Sequence, residues 1–193
     1  MNCAESSRIA PSLALAPRSP LGTAHGAAAK TIVDHVLVQI VEEPFLHLGS
    51  VRLSRAAALE DIKASLLMSL EQMPNTFSGD VNYSVARFEP RAWIVIGKQP
   101  IKLPVDASGC LVTDLSARLA GFRISGAAAE KILASSTSVA VPAGGFVRTM
   151  FAESYAVLLQ CLGEQDYRLL VDVSLAHSCA DWLADAASLL RPD

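Results

Sequence analysis

Apolar and polar positions change their period several times along the chain, and each change marks an element. HVLVQIV (35–41) is β-branched and apolar, and LHLGSVRL (46–53) follows after Pro44; both predict strands. RAAALEDIKASLLMSLEQM (55–73) then switches to helical spacing, with Leu59, Ile62, Leu66, Leu67, Leu70 and Met73 recurring at three and four. Ser54 is placed to cap this helix and Pro74-Asn75 to end it. NTFSGD (75–80) has the chemistry of a turn. VNYSVARFE (81–89) alternates Val81, Tyr83 and Val85 against Asn82 and Ser84. After Pro90-Arg91, AWIVIG (92–97) is a continuous apolar run suited to a strand covered on both faces.

GKQPIKLPVDASG (97–109) carries two prolines and two glycines and predicts a connection between subdomains. Beyond it the alternation resumes. GFRIS (121–125) reads as a strand, Ser125 or Gly126 opens a short helix over AAAEKIL, and PAGG (142–145) is a turn. FVRTMFAES and YAVLLQCL (155–162) predict strands, the second leading through Gly163-Glu164-Gln165-Asp166 into YRLLVDV (167–173) as a hairpin. Ser174 is the expected cap of a last helix whose apolar face is Leu175, Cys179, Trp182, Leu183, Ala186 and Leu190. Hairpin-paired strands with helices laid on one face make an α+β fold. The expected organisation is a disordered tail over 1–30, an N-terminal α+β subdomain over 31–100 and a C-terminal one over 108–193.

Composition narrows the function. Charged residues are only 18% of the 193, the net charge is −3 and the mean hydropathy is +0.35. Without a basic stripe, nucleic acid is not expected as a partner. No apolar run reaches the length of a membrane span. IAPSLALAP near the start is short, broken by prolines and preceded by Glu5, which reads as a tail and not a signal peptide. Cys3, Cys110, Cys161 and Cys179 form no CxxC pair, and His25, His35, His47 and His177 are dispersed. Neither a disulfide framework nor a local metal site is expected, and a reducing cytoplasm fits. A surface this poor in charge implies either an Ala-, Val- and Leu-rich core or a face covered by something else.

Candidate chemistry is sparse. No glycine-rich dinucleotide turn and no phosphate-binding GxxxxGK occurs. His177 with Asp181 lacks a nucleophile and reads as an ordinary helix pair. Asp114, Ser116 and Arg118 form the most prominent polar cluster: Asp114 suits a tight turn, while Arg118 could hold an anionic substrate or pair with Asp114. Arg148, inside FVRTMF, could pair within the chain or across an interface. Trp93 and Trp182 are expected in the core, with a partner surface as the other reading. Glu60 and Asp61 point in different directions and are no carboxylate pair. The residues alone supply no catalytic constellation, and no catalytic, cofactor-binding or metal-binding residue is expected.

Asp114, Leu115, Ser116, Ile124, Gly126 and Ala129 resemble a segment of the folate-binding aminomethyltransferases (the glycine-cleavage T-protein superfamily). A longer stretch, from about 84 to 187, resembles the gamma subunit family of heterotetrameric sarcosine oxidase. The matching positions are Trp93 to Gly97; Asp114 to Ser116 and Arg118; Phe122, Ile124, Ser125, Gly126, Ala129 and Leu133; Arg148 and Thr149; then Arg168, Val171, Ser174, Ala176, Trp182 and Leu183. Ala127 departs from the family's helix-starting proline, and Thr113 from its usual valine.

The resemblance implies an aminomethyltransferase (T-protein)-like folate-binding-domain fold. It also implies that the aminomethyltransferases' working aspartate would fall near Ser154-Tyr155-Ala156, where this chain has no carboxylate. By resemblance the chain would be a non-catalytic gamma subunit bracing the large subunit, with alpha, beta and delta subunits as partners. FAD, FMN, NAD, zinc and tetrahydrofolate would lie on those partners and none on this chain. The complex would oxidise sarcosine to glycine, hydrogen peroxide and formaldehyde or 5,10-methylenetetrahydrofolate. A subunit of a related N-methyl amino acid oxidase or dehydrogenase, a stand-alone folate-binding protein and a plain scaffold are the other readings.

Overall fold

The computed structural model describes residues 19–24, 27–54, 73–101 and 109–191. The eleven described strands are β1 (Thr31–His35), β2 (Val38–Glu43), β3 (His47–Leu53), β4 (Thr76–Gly79), β5 (Tyr83–Glu89), β6 (Ala92–Gly97), β7 (Cys110–Asp114), β8 (Leu119–Ser125), β9 (Phe146–Phe151), β10 (Tyr155–Gly163) and β11 (Asp166–Asp172). The two described helices are α1 (Ala129–Ser136) and α2 (Ala176–Ser188). The strands form two antiparallel sheets, one of six strands ordered β1-β2-β8-β11-β10-β9 and one of five ordered β4-β5-β6-β3-β7.

Side-chain alternation explains the layering. On the six-stranded sheet, Ile40, Phe122, Ile124, Val157, Leu159 and Leu169 face α1 and α2, whose Ile132, Leu133, Cys179 and Leu183 complete that core. The opposite face contributes Leu158, Leu170 and Leu119 to a second core against Leu48, Ile94 and Ile96 of the five-stranded sheet. The outer face of the five-stranded sheet carries a third cluster, Val51, Leu53, Val85, Trp93 and Val95. β6 is buried at all six positions because it lies between two clusters, as the run AWIVIG implied.

Several local expectations change. HVLVQIV is not one strand: β1 ends at His35 and the chain turns at Val36-Leu37, where His35 Nδ1 accepts the Leu37 amide at 3.2 Å. That turn has neither glycine nor asparagine, so the sequence carried no turn signal. NTFSGD does not turn throughout, since Thr76–Gly79 pairs with β5 as an edge strand. FVRTMFAES stops at Phe151, where Ala152 and Glu153 take positive φ values of 48° and 56°. Ser174 is not the cap of the last helix. Asp172 caps a short 3-10 turn, Val173–Leu175, by accepting the Ser174 amide at 3.0 Å, and that turn leads into α2. At α1 no side chain caps either, and Gly126 (φ 114°) makes the bend that brings Ala128 N to Leu37 O.

Each sheet draws strands from both sides of the 97–109 connection. β1 and β2 join the later strands β8–β11, and β7 joins the earlier strands β3–β6. Part of the expected tail is also built in. Leu21 is buried in the first core, its amide donates to Glu42 Oε1 at 3.2 Å, and Thr23 Oγ1 donates to Glu42 Oε2 at 2.6 Å. The helix expected over 55–73, with Glu60 and Asp61, falls on residues 55–72, outside the described residues.

Candidate functional site: a cleft between the sheets

Beside the core between the two sheets lies a cleft of about 380 Å³, lined from both. Ile94, Leu115, Leu119, Leu158 and Leu170 make its apolar wall. Arg52, Arg118 and Arg148 also line it, against one carboxylate, Asp172. The placement follows from strand alternation. Ser50 and Arg52 continue the inward row of β3 begun by Leu48, and Arg148 lies opposite Leu158 in the β9–β10 register. The size is within the range of small-ligand pockets.

The polar groups divide by partner. Arg118 Nε lies 3.8 Å from Asp172 Oδ2 and not on Asp114, so the sequence's suggested Asp114–Arg118 pair is replaced by another. Asp172 is already engaged by the Ser174 hydroxyl at 2.7 Å, and that hydroxyl and the Ser174 amide hold its carboxyl below the usual aspartate range. Arg52 lies 3.6 Å from Glu89. Arg148 is exposed and has no carboxylate within salt-bridge distance among the described residues.

Asp114 and Ser116 take the structural option. The Ser116 amide donates to Asp114 Oδ1 at 2.8 Å, and the Leu48 amide donates to Ser116 Oγ at 3.0 Å, tying the turn after β7 to β3. Ser116, through its hydroxyl and amide, lowers the Asp114 carboxyl below its ordinary value. Ala156 lines the cleft and Ser154 and Tyr155 precede it, so the position that the family resemblance assigned to a working aspartate falls at this site without an acid. His177 and Asp181 are exposed on α2, away from the cleft. Trp93 is buried on the far face of the five-stranded sheet, and Trp182 stacks edge-on to Phe151 at 4.8 Å. Among the described residues no group of three or more His, Cys, Asp and Glu could hold a metal ion, and no helix is long and apolar enough to cross a membrane.

Deeper between the sheets lies a polar network that no motif suggested. Arg168, fully buried on β11, donates to Glu43 Oε2 at 2.5 Å, to Gln160 Oε1 at 3.1 Å and to the Val81 carbonyl at 2.7 Å. Gln160 Nε2 continues to Ser84 Oγ at 3.0 Å. The chain thereby links β2, β10 and β11 of one sheet to β5 and its approach in the other. The signal was an arginine in the otherwise apolar run RLLV.

No protein-family model matches the chain, and no curated protein matches it. Among solved structures, a chain of heterotetrameric sarcosine oxidase from Corynebacterium sp. U-96, in complex with pyrrole 2-carboxylate, is similar at a TM-score of 0.71 and 22% identity. The likeness covers 82% of this chain and 87% of that one. Glycine cleavage system aminomethyltransferase T from Bartonella henselae is similar at a TM-score of 0.53 and 12% identity, over 74% of this chain but 44% of that one. The chain thus spans less than half of that enzyme. Two antiparallel sheets with few helices, shared with both neighbours, make this an α+β protein with the aminomethyltransferase (T-protein)-like folate-binding-domain fold.

Proposed function

We propose that this chain is a non-catalytic, gamma-type subunit of a heterotetrameric sarcosine oxidase-like complex. The observation that carries the reading is one of extent: the chain matches a sarcosine oxidase chain over 87% of its length and the aminomethyltransferase over only 44%. Likeness to most of a chain of such a complex, and to under half of the aminomethyltransferase, favours the brace over that enzyme's catalyst. The cleft supports the same reading. Its one carboxylate, Asp172, is held by Arg118 and Ser174, and Ala156 has no proton to exchange. On this proposal the flavins, NAD, zinc and folate sit on alpha, beta and delta partners in the cytoplasm, and the amine is sarcosine or a related N-methyl amino acid.

A second reading, a stand-alone folate-binding protein, is favoured by the meeting of Arg118 and Arg148 in one cleft. Native purification of the tagged chain from its own host separates the two. Three further chains and flavin absorption between about 350 and 500 nm are expected on the first reading. A colourless monomer that takes up tetrahydrofolate would establish the second and overturn the first.

A further inference from the structure

The cleft also says something about what covers it. Leu111 and Met150 are among the most exposed large apolar side chains described, at 63% and 48%. By alternation Leu111 stands on the inward face of β7 opposite Arg52, and Met150 on the inward face of β9 opposite Ala156. Each therefore extends an inward face that also carries a cleft residue, Thr113 on β7 and Arg148 on β9. An apolar wall and three arginines, with Asp172 as the one lining carboxylate, meet in this cleft. Arginines with long apolar stems are the cations favoured at the centres of protein interfaces. Their side chains are too open here for an enclosed small-molecule pocket, with Arg118 at 72% and Arg52 at 51% exposure.

We propose that the cleft is the docking site for a segment of a partner chain that places an aromatic or branched aliphatic side chain against the wall of Ile94, Leu158 and Leu170 and an adjoining carboxylate on Arg148. Charge complementarity selects the acid. Arg118 and Arg52 already have carboxylates beside them, whereas Arg148 has none among the described residues. The proposal rests on the subunit reading and adds to it the surface used and the chemistry of the partner.

The test places a photo-crosslinking residue at Thr113, in the cleft, and separately at His177, on the exposed face of α2, in the full-length tagged chain expressed in its own host. The expected result is a Thr113 crosslink to a partner peptide holding an Asp or Glu next to an apolar residue. Arg148→Glu should lower that crosslink by about tenfold or more, and exchanging the partner's acid for arginine should restore it. If the complex assembles but Thr113 yields no crosslink, or one that Arg148→Glu leaves unchanged, the docking proposal fails while the subunit reading stands. If no partner is recovered at either position, both fail. A small acid retained on the purified monomer in native mass spectra, and lost in Arg148→Glu, would assign the cleft to a ligand and overturn the proposal.

Discussion

Arg168 and Glu43, 125 residues apart, form a bidentate ion pair between the sheets, with Arg168 Nε at 2.5 Å from Oε2 and Nη2 at 3.0 Å from Oε1. Their side chains are 0% and 8% exposed. Such a pair contributes less by its own attraction than it costs when halved, because the remaining charge stays buried. Arg168→Met should therefore destabilise by about 3–5 kcal/mol in chemical denaturation. Arg168→Met combined with Glu43→Leu should recover part of the loss; a double variant as unstable as the sum of the singles would refute this account.

Glu42 faces the opposite way from Glu43 and holds the segment 19–23 through Leu21 and Thr23. Glu42→Ala should cost about 1–3 kcal/mol through the two donors left without an acceptor. Amide exchange in peptides covering Leu21 and Thr23 should rise while exchange in β10 and β11 stays slow. Unchanged exchange at Leu21 would show that apolar burial alone retains the segment.

Gly126 occupies φ 114°, and a Cβ there would meet the Leu37 carbonyl oxygen at 2.7 Å. Gly126→Ala should destabilise by about 2 kcal/mol or more, since both the backbone conformation and the contact oppose it. Gly144→Ala is the matched control, at φ 72° with nothing within 4 Å, and should cost about 1–2 kcal/mol. Equal melting temperatures for the two variants would contradict the role given to the Leu37 contact.

The carboxyls of Asp80, Asp114 and Asp172 are all held below their ordinary range, in each case chiefly by hydrogen bonds from neighbours two or three residues on. A lowered folded-state value means stability that is fully present above the unfolded value and lost as pH falls through the folded one. Melting temperature should be insensitive to these groups above about pH 5 and should decline from about pH 4 downward. Asp172→Asn should flatten part of that decline; a variant curve parallel to the parent's would remove Asp172 from the explanation.

The sequence showed the fold best where one physical signal acted alone. AWIVIG declared a doubly buried strand, the run from Gly163 to Asp166 declared a hairpin, and the period of α2 declared its face. It misled where tertiary contacts replaced local chemistry. Val36-Leu37 turns without a turn residue because β2 has β8 to pair with, and Thr76–Gly79 extends because β5 offers an edge. Arg118 and Arg148 were legible as unusual cations, but that they share a cleft depends on β8, which Arg118 precedes, and β9 lying in one sheet with β11 and β10 between them. Arg168 was visible as a charge in an apolar strand, while its partner at Glu43 could not be chosen from among the other acids by spacing.

The interleaving of the two sheets sets a constraint on how the chain is made. β2 has β1 on one side from the start, but its other edge waits for β8, and β3 waits for β7, so neither sheet closes from the first half of the chain alone. On a ribosome the apolar faces of β2, β3 and β6 emerge well before the strands that complete their sheets. Pairings this distant in sequence form late, and they leave strand edges open to other chains in the interval. A chain built this way cannot be cut at its most linker-like segment into two foldable halves, and its early half is the part most in need of a companion during synthesis.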